Sequence, residues 1–410
     1  MNYSLGNMLC RGDSLDSDGL SLNLQFATDK TLTARKGPTP VFTRASAATY
    51  YGPLVDYGSL TAFISNSISS DRSEWSQDDG TQFIRIYYTS TRWVIEVTVG
   101  EDVTEYFAAL GTEFRPEQAN WSASGAPFTP TTSSTFGLVR VGTNEPRFDH
   151  NTTAPNACRG LLIEESRTNL VFPSASFSTQ TRTVTAGSHT FSFYGTGTVV
   201  LSGAAIATIT GTGAFPTRTT LTFTTTAGSL TLTRTGSVTQ AQLELGGFAT
   251  SYIPTTSASV VRSLDVCSIS SIASFYGSGA GTIFTGTQFN GASQLNGVCG
   301  FFAGTNQVAI SRLVNNTRAV TFGNAPNLTI NSGTLASTLF VKSAFAFNTN
   351  DGSFANNGVS AGTSTSVGIP SVTTFGIGTN GSQTMQSGTI SEIKVFKKRL
   401  ANAKLLTITV

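Results

Sequence analysis

The stretch TRTTLTFTTTAGSLTLTRTG runs from Thr217 to Gly236. Leucine and phenylalanine alternate with threonine on both sides of Ala227-Gly228-Ser229. A period of two places one residue set on a buried face and the other on a wet face. β-Branched threonine suits that pleated surface. The stretch therefore predicts two short strands and no helix. The pattern recurs on both sides, in HTFSFYGTGTVVLSG (His189–Gly203) and TQAQLELGGFATSYIPT (Thr239–Thr255). Several short alternating runs between Gly or Ser turns predict a sandwich or jelly roll over residues 171–255.

Strand signals continue over 256–410, punctuated by Asn-Gly and Asp-Gly in FNGASQLNGV and NTNDGSFANNGVSAG. SGTISEIKVFKKRL carries a clear strand through Ile390, Ile393 and Val395, and RLANAKLLTI after it reads as a short helix. Towards the N-terminus the composition changes. Residues 56–133 hold all three tryptophans, Trp75, Trp93 and Trp121. There TQFIRIYYTSTRWVIEVTV predicts a β-hairpin about Thr89-Ser90-Thr91. This segment reads as a small inserted β module. It separates an N-terminal arm with first strands (1–55) from a segment, 134–170, that resumes the earlier style. The fold class is all-β and multi-domain, with jelly-roll or β-sandwich domains and a small inserted β module.

The chain has 410 residues, of which 12% are charged, and a net charge of +2. No basic surface large enough for a phosphate backbone is implied, which argues against nucleic acid. The KVFKKR cluster, Lys394–Arg399, reads as a solvated strand end. No apolar run reaches membrane-span length. The N-terminus lacks the basic and apolar regions of a signal peptide, so the chain is expected to be made in a cytoplasm and not exported by a classical route. Cys10, Cys158, Cys267 and Cys299 show no metal spacing and read as reduced thiols.

Against this charge-poor background, GLLIEESRTNLVF (Gly160–Phe172) sets Glu164, Glu165 and Arg167 between two apolar runs. Glu164 and Glu165 could pass for a glycosidase pair, but adjacent strand residues face opposite ways and cannot flank one bond. His150 and His189, the two histidines, have no nucleophile motif beside them. DSLDSDG (Asp13–Gly19) lacks the closing glutamate of a calcium loop. No catalytic residue, metal site or cofactor is expected. For the tryptophans, Trp93 and Trp121 are expected in the module's own core. Trp75, Tyr87 and Tyr88 are the candidate ligand-binding residues, because aromatic faces stack on sugars and anchor interfaces.

Four pieces in order, FTRASAATY, NEPRFDH, GLLIEESRTNLV and LELGGFATSYIPTTSASVVRSLDV, resemble the signature of bacteriophage tail-fibre and related virion appendage proteins. The resemblance implies a carbohydrate-binding-module-like jelly roll in the middle and a concanavalin A or laminin-G-like sandwich at the end. It implies a non-enzymatic virion structural protein, assembled in the host cytoplasm. Its partners would be other virion proteins, a host-surface glycan and, by analogy, two further copies in a homotrimer. The alternative is a capsid-decorating or tail-joining protein that binds only virion proteins. Within the four pieces stand Arg44, Arg147, Asp149, Glu164, Glu165 and Arg167. Arginine pairs with carboxylates through a planar fork, and charges entering a core must pair. Some of these six are therefore expected to form a partly buried ion-pair cluster tying the N-terminal arm to the jelly roll; the alternative is a solvated charged turn between strands.

Overall fold

A computed structural model describes residues 18–56, 74–78, 83–88, 93–99, 102–107, 131–153, 156–277, 279–289, 296–313, 315–335, 340–382, 385 and 387–410. The chain divides into two compact units, Gly52–Gly142 and the remainder.

The larger unit contains two stacked-sheet bodies. One sheet of the bigger body runs, strand by strand, Val359–Ser364, Asp351–Asn356, Val341–Asn348, Gly281–Phe289, Ser387–Phe396, Cys158–Glu164 and Phe148–His150. Leu20–Leu24 also pairs with Ser387–Phe396, beyond the stretch held by Cys158–Glu164, so two strands share one edge of it end to end. The facing sheet runs Val41–Thr43, Val266–Ile269, Thr374–Ile377, Asn296–Ala303, Asn306–Arg312, Thr317–Phe322 and Leu328–Asn331. Alternate residues of both sheets meet in one core, among them Leu22, Leu161, Ile283, Phe301, Phe345, Phe375 and Ile393. Burying such side chains stabilises by roughly 1.5–3 kcal/mol each. Ile393 and Val395 are buried there as a period of two requires, and an irregularity in the pairing between Ile390 and Glu392 brings Ile390 to the same core. On the far side of the first sheet Ala344, Ala346 and Ala355 keep the surface shallow. The helix Asn402–Ile408 closes over it through Leu405. A second helical turn, Phe26–Asp29, inserts Phe26 into the main core.

The second body lies within the chain of the first. A two-stranded ribbon, Arg167–Asn169 against Val260–Arg262, forms its neck. Beyond the neck, Gln180–Val184, Gly228–Thr235, Thr198–Gly203 and Ala207–Thr210 make a four-stranded sheet, and Thr219–Thr225, Gly187–Tyr194 and Thr239–Leu245 a three-stranded one. The two halves of the Thr217–Gly236 stretch do not pair with each other. Thr219–Thr225 joins one sheet and Gly228–Thr235 the other, so the Gly228 turn carries the chain across the core. Phe191, Phe193, Val199, Leu201, Leu230, Leu232 and Leu243 fill the space between.

The sequence reading separated 1–55, 134–170 and 256–410. In the structure strands from all three stand in the same two sheets, and residues 171–255 interrupt them. The reason is non-local pairing. Leu20 lies opposite Phe396, and Leu161 opposite Ile390. No local pattern encodes such partners.

Ala48–Asp56, which belongs to the smaller unit from Gly52 on, and Thr131–Val141 form a two-stranded ribbon. Glu74–Asp78, Phe83–Tyr88, Trp93–Val99 and Asp102–Phe107 form an antiparallel meander. Its middle pair is the expected hairpin, with Tyr88 opposite Trp93. The turn about Thr89-Ser90-Thr91, and Trp121, lie outside the described residues.

Candidate functional site

The described residue cluster with the strongest electrostatics sits at the neck between the two bodies of the larger unit. Arg44 follows the edge strand Val41–Thr43. Arg147 precedes Phe148–His150. Glu164 ends Cys158–Glu164, Arg262 ends the second neck strand, and Asp265 precedes Val266–Ile269. All five side chains are at most 1% exposed. Arg147 is the hub. Its Nη1 donates to Glu164 Oε2 at 2.7 Å, to Ser251 Oγ at 2.7 Å and to the Thr49 carbonyl at 3.0 Å; its Nη2 donates to Asp265 Oδ2. Arg44 Nη1 reaches Asp265 Oδ1 at 3.2 Å, and Arg262 Nη1 reaches Glu164 Oε2 at 3.1 Å.

The carboxylates are saturated. Glu164 accepts from the Ser251 amide at 2.8 Å and the Ser251 hydroxyl at 2.6 Å. Asp265 accepts from the Glu164 amide at 2.9 Å, while the Asp265 amide donates to the Glu164 carbonyl at 3.0 Å. A third buried carboxylate, Glu244, acts on Arg262 through its charge and accepts from Thr250 N and Oγ1 at 2.9 and 2.7 Å. Three guanidinium groups thus face three carboxylates. That balance is what allows so many charges to leave water together.

The titration of each group follows from its number of partners. Burial alone would raise Glu164, but Arg262 and Arg147, with the Ser251 donors, hold it well below the usual carboxylate range. Burial would lower Arg147, yet Asp265 and Glu164 together hold it above the ordinary arginine value. Arg44 and Arg262 move the other way. Burial pushes each down, and the neighbouring Arg147 charge adds to it, because each has one carboxylate contact where Arg147 has two. The five side chains of the direct ion pairs are all at most 1% exposed, so none meets solvent.

Of the six residues expected in this cluster, the structure brings together Arg44, Arg147 and Glu164. Glu165 and Arg167 pair with each other at its rim, where Arg167 also lies over the Phe248 ring at 4.8 Å. That seat requires glycine at 246: its φ is +132°, and a Cβ there would fall 1.6 Å from Arg167 Nη1. Asp149 stands outside the cluster. It accepts from the Tyr51 amide at 3.1 Å and from Arg159 Nη1 at 3.3 Å. Burial, against the pull of Arg159, pushes it up to about 6. Sequence reasoning did not single out Arg262, Asp265 or Glu244. All three lie within LELGGFATSYIPTTSASVVRSLDV and are the only charged residues in it. Charge in a charge-poor chain was the signal that could have found them.

The same long piece is stitched to the neck by neutral groups. Asn169 donates to the Ala241 and Ile253 carbonyls at 3.1 and 2.9 Å and accepts from the Leu243 amide at 3.1 Å. Gln242 Oε1 accepts from the Ile253 amide at 2.7 Å. Every such bond satisfies a group that would otherwise be buried at a cost of about 1–3 kcal/mol.

Trp75, Tyr87 and Tyr88 lie on described strands of the smaller unit. The register sets Trp75 in a row with Ile86, Ile95 and Tyr106, and Tyr88 opposite Trp93. Tyr87 stands opposite Glu74 and Val94 in that register. His189 is 1% exposed, with Nδ1 3.0 Å from Thr225 Oγ1, and His150 is 3% exposed. Among the described residues no group of three or more His, Cys, Asp or Glu could hold a metal ion. Cys158, Cys267 and Cys299 are free thiols, and Cys10 lies outside the described residues. Among the described residues no helix is long and apolar enough to cross a membrane.

No protein-family model and no curated protein sequence matches the chain. Partial structural similarity exists to the CBM40 of a Ruminococcus gnavus IT-sialidase bound to α2,3 sialyllactose. It has 12% identity over 33% of this chain and 84% of that one, with a TM-score of 0.29. Domain 4 of AbnA, a GH43 extracellular arabinanase from Geobacillus stearothermophilus in complex with arabinotriose, gives 12% identity, 40% and 84% coverage and a TM-score of 0.32. Scores this low assign neither ligand nor activity.

Proposed function

We propose that this chain is a non-enzymatic bacteriophage virion structural protein, a tail-fibre or spike-type appendage subunit that contributes to recognition of a host-surface glycan. The supporting observation is the neck cluster. The four ordered pieces that resemble appendage proteins supply Arg44, Arg147, Glu164, Glu244, Arg262 and Asp265, and these meet in one buried, charge-balanced site. The signature thus has a mechanical purpose: it locks an inserted sandwich onto a host sandwich. Two bodies joined by desolvated ion pairs transmit force better than two bodies on a flexible linker, which suits an appendage that bears load during attachment. The carboxylates that could have served as acid or base are spent on holding this joint. In this reading the protein lives on the virion, in a homotrimer built through sheet edges, and takes no cofactor.

The test is binding to cells of the host. Fluorescently labelled chain should bind the host surface and slow adsorption of the particles that carry it. Periodate oxidation of the cells should abolish both effects. Binding that survives periodate and yields to protease would replace the glycan by a protein receptor. No binding and no competition would remove the recognition role.

A further inference from the structure

The outer face of the four-stranded sheet in the inserted sandwich is set apart by what it lacks. Inward positions are apolar: Val199, Leu201, Ile209, Leu230 and Leu232 are all at most 5% exposed. Outward positions carry hydroxyls. One row crosses Thr210, Thr198 and Thr235, and the next crosses Thr208, Val200 and Thr233. A third crosses Ser202, Thr231 and Thr181. Neighbouring hydroxyls are tied across strands, Thr181 to Thr231 at 2.9 Å and Thr198 to Thr210 at 3.2 Å. The group is thereby held in fixed orientation, with lone pairs and hydrogens left over for solvent or a ligand. The two arginines of these strands take inward-parity positions. Arg182 lies over the Phe172 ring at 3.5 Å, and Arg234 donates to the Phe177 carbonyl at 2.7 Å. None of these three rows holds a charged or aromatic residue.

Charge and size together decide what such a face suits. A charged ligand would find no counter-charge. A protein partner would find no aromatic or arginine anchor, and those carry most interface energy. Strands about 4.8 Å apart and residues about 3.3 Å apart give a flat area on the order of 300 Å². A stable protein interface uses about 800 Å² per partner. A neutral oligosaccharide of a few rings offers hydroxyls at a similar pitch, apolar ring faces for the Val200 methyls, and a footprint that fits. We infer that this hydroxyl face is the subsite for a neutral, hydroxyl-rich oligosaccharide of about three to four units, laid flat across the strands. The inference rests on the glycan-recognition reading above and gives it a location. Affinity per face should be weak, with several copies on one particle supplying avidity.

The probe is an array of neutral hexose and pentose oligosaccharides of three to six units, read with the full chain. The variant replaces Thr181, Thr210, Thr231 and Thr233 together by valine, which keeps shape and strand preference but removes the hydroxyls. A second variant replaces exposed Thr363 of the larger body by valine as a control. The expected result is signal for the native chain and the control, and a drop of more than about tenfold, one net hydrogen bond or more, for the quadruple variant at unchanged melting temperature. Should the quadruple variant unfold, Thr233→Lys alone, which sets a bulky charge mid-face, serves in its place with the same expected drop. Native binding that the variants leave intact overturns this location only. No native binding to any neutral sugar overturns the location and, if host-cell binding is also absent, the reading it rests on. Self-association of the native chain that the quadruple variant abolishes would make the face a protein interface and overturn the inference.

Discussion

Glu164 and Arg262 lie 3.1 Å apart, both out of contact with water, at the point where the chain leaves the large sandwich and returns to it. The inserted sandwich is everything between them. Closing this neck with an ion pair fixes the register of the Arg167–Asn169 and Val260–Arg262 strands, since a slip of one residue would leave a buried charge facing an apolar group.

Arg147→Met should cost about 3–5 kcal/mol, because it strands Glu164 and Asp265 without their shared cation. Urea unfolding gives the value directly. Arg167→Met should cost far less: its partner Glu165 has 28% side-chain exposure, so water can take over when the arginine is gone. Equal losses for the two variants would mean that burial does not rank these pairs.

Acid should loosen the neck. Glu164 is held below the ordinary glutamate value of 4.5, so its contribution is fully present above that pH and fades as pH falls through the lower folded value. Melting temperature should therefore drop on acidification below about pH 4.5. Asp149 has the opposite sign. Raised from 3.8 to about 6 by burial, its ionised form is a burden on the fold at neutral pH. Asp149→Asn should then gain up to about 3 kcal/mol relative to native at pH 7.5, a gain that vanishes below about pH 4. Parallel urea curves at the two pH values settle the sign.

Thiol chemistry should follow burial. Cys267 and Cys299 are fully buried, and burial pushes Cys299 up to about 12 and Cys267 above the ordinary thiol range. Both should resist alkylation in the native protein, while the half-buried Cys158 reacts slowly. Mass spectrometry before and after denaturation reads the difference, and a mapped disulfide would contradict it.

Excising Gly52–Gly142 with a short Gly/Ser bridge should leave the rest folded. The groups that pin the flanking residues belong to the larger unit: the Asn144 amide donates to the Arg44 carbonyl and the Arg44 amide to Asn144 Oδ1, Arg147 holds the Thr49 carbonyl, and Asp149 holds the Tyr51 amide. A deletion protein that keeps the native near-ultraviolet signal and a cooperative melt meets the expectation. An aggregate would show that the smaller unit is integral to the core.

The sequence shows most of what is local. Alternation at Leu230 and Leu232, or at Ile393 and Val395, marks strands because side chains of a strand must alternate between faces. It does not show partners. Nothing near Leu20 announces Phe396, and nothing in the Thr217–Gly236 stretch says its halves part company at Gly228. The charge cluster was half legible for the same reason. Arg44, Arg147 and Glu164 stand out in their motifs, but Asp149 looks equivalent to Asp265 until the fold carries one to Arg159 and the other to Arg147. Trp75, Tyr87 and Tyr88 read as one aromatic group in the sequence, and the meander puts them on two neighbouring strands, Trp75 opposite Ile86 and Tyr88 opposite Trp93.

The proposed place on a virus particle is tested most directly by immunogold labelling of intact particles with antibody to the purified chain. Gold at the tail appendages, in multiples of three copies per appendage, is the predicted result. Particles without label, or label confined to the head shell, would contradict it.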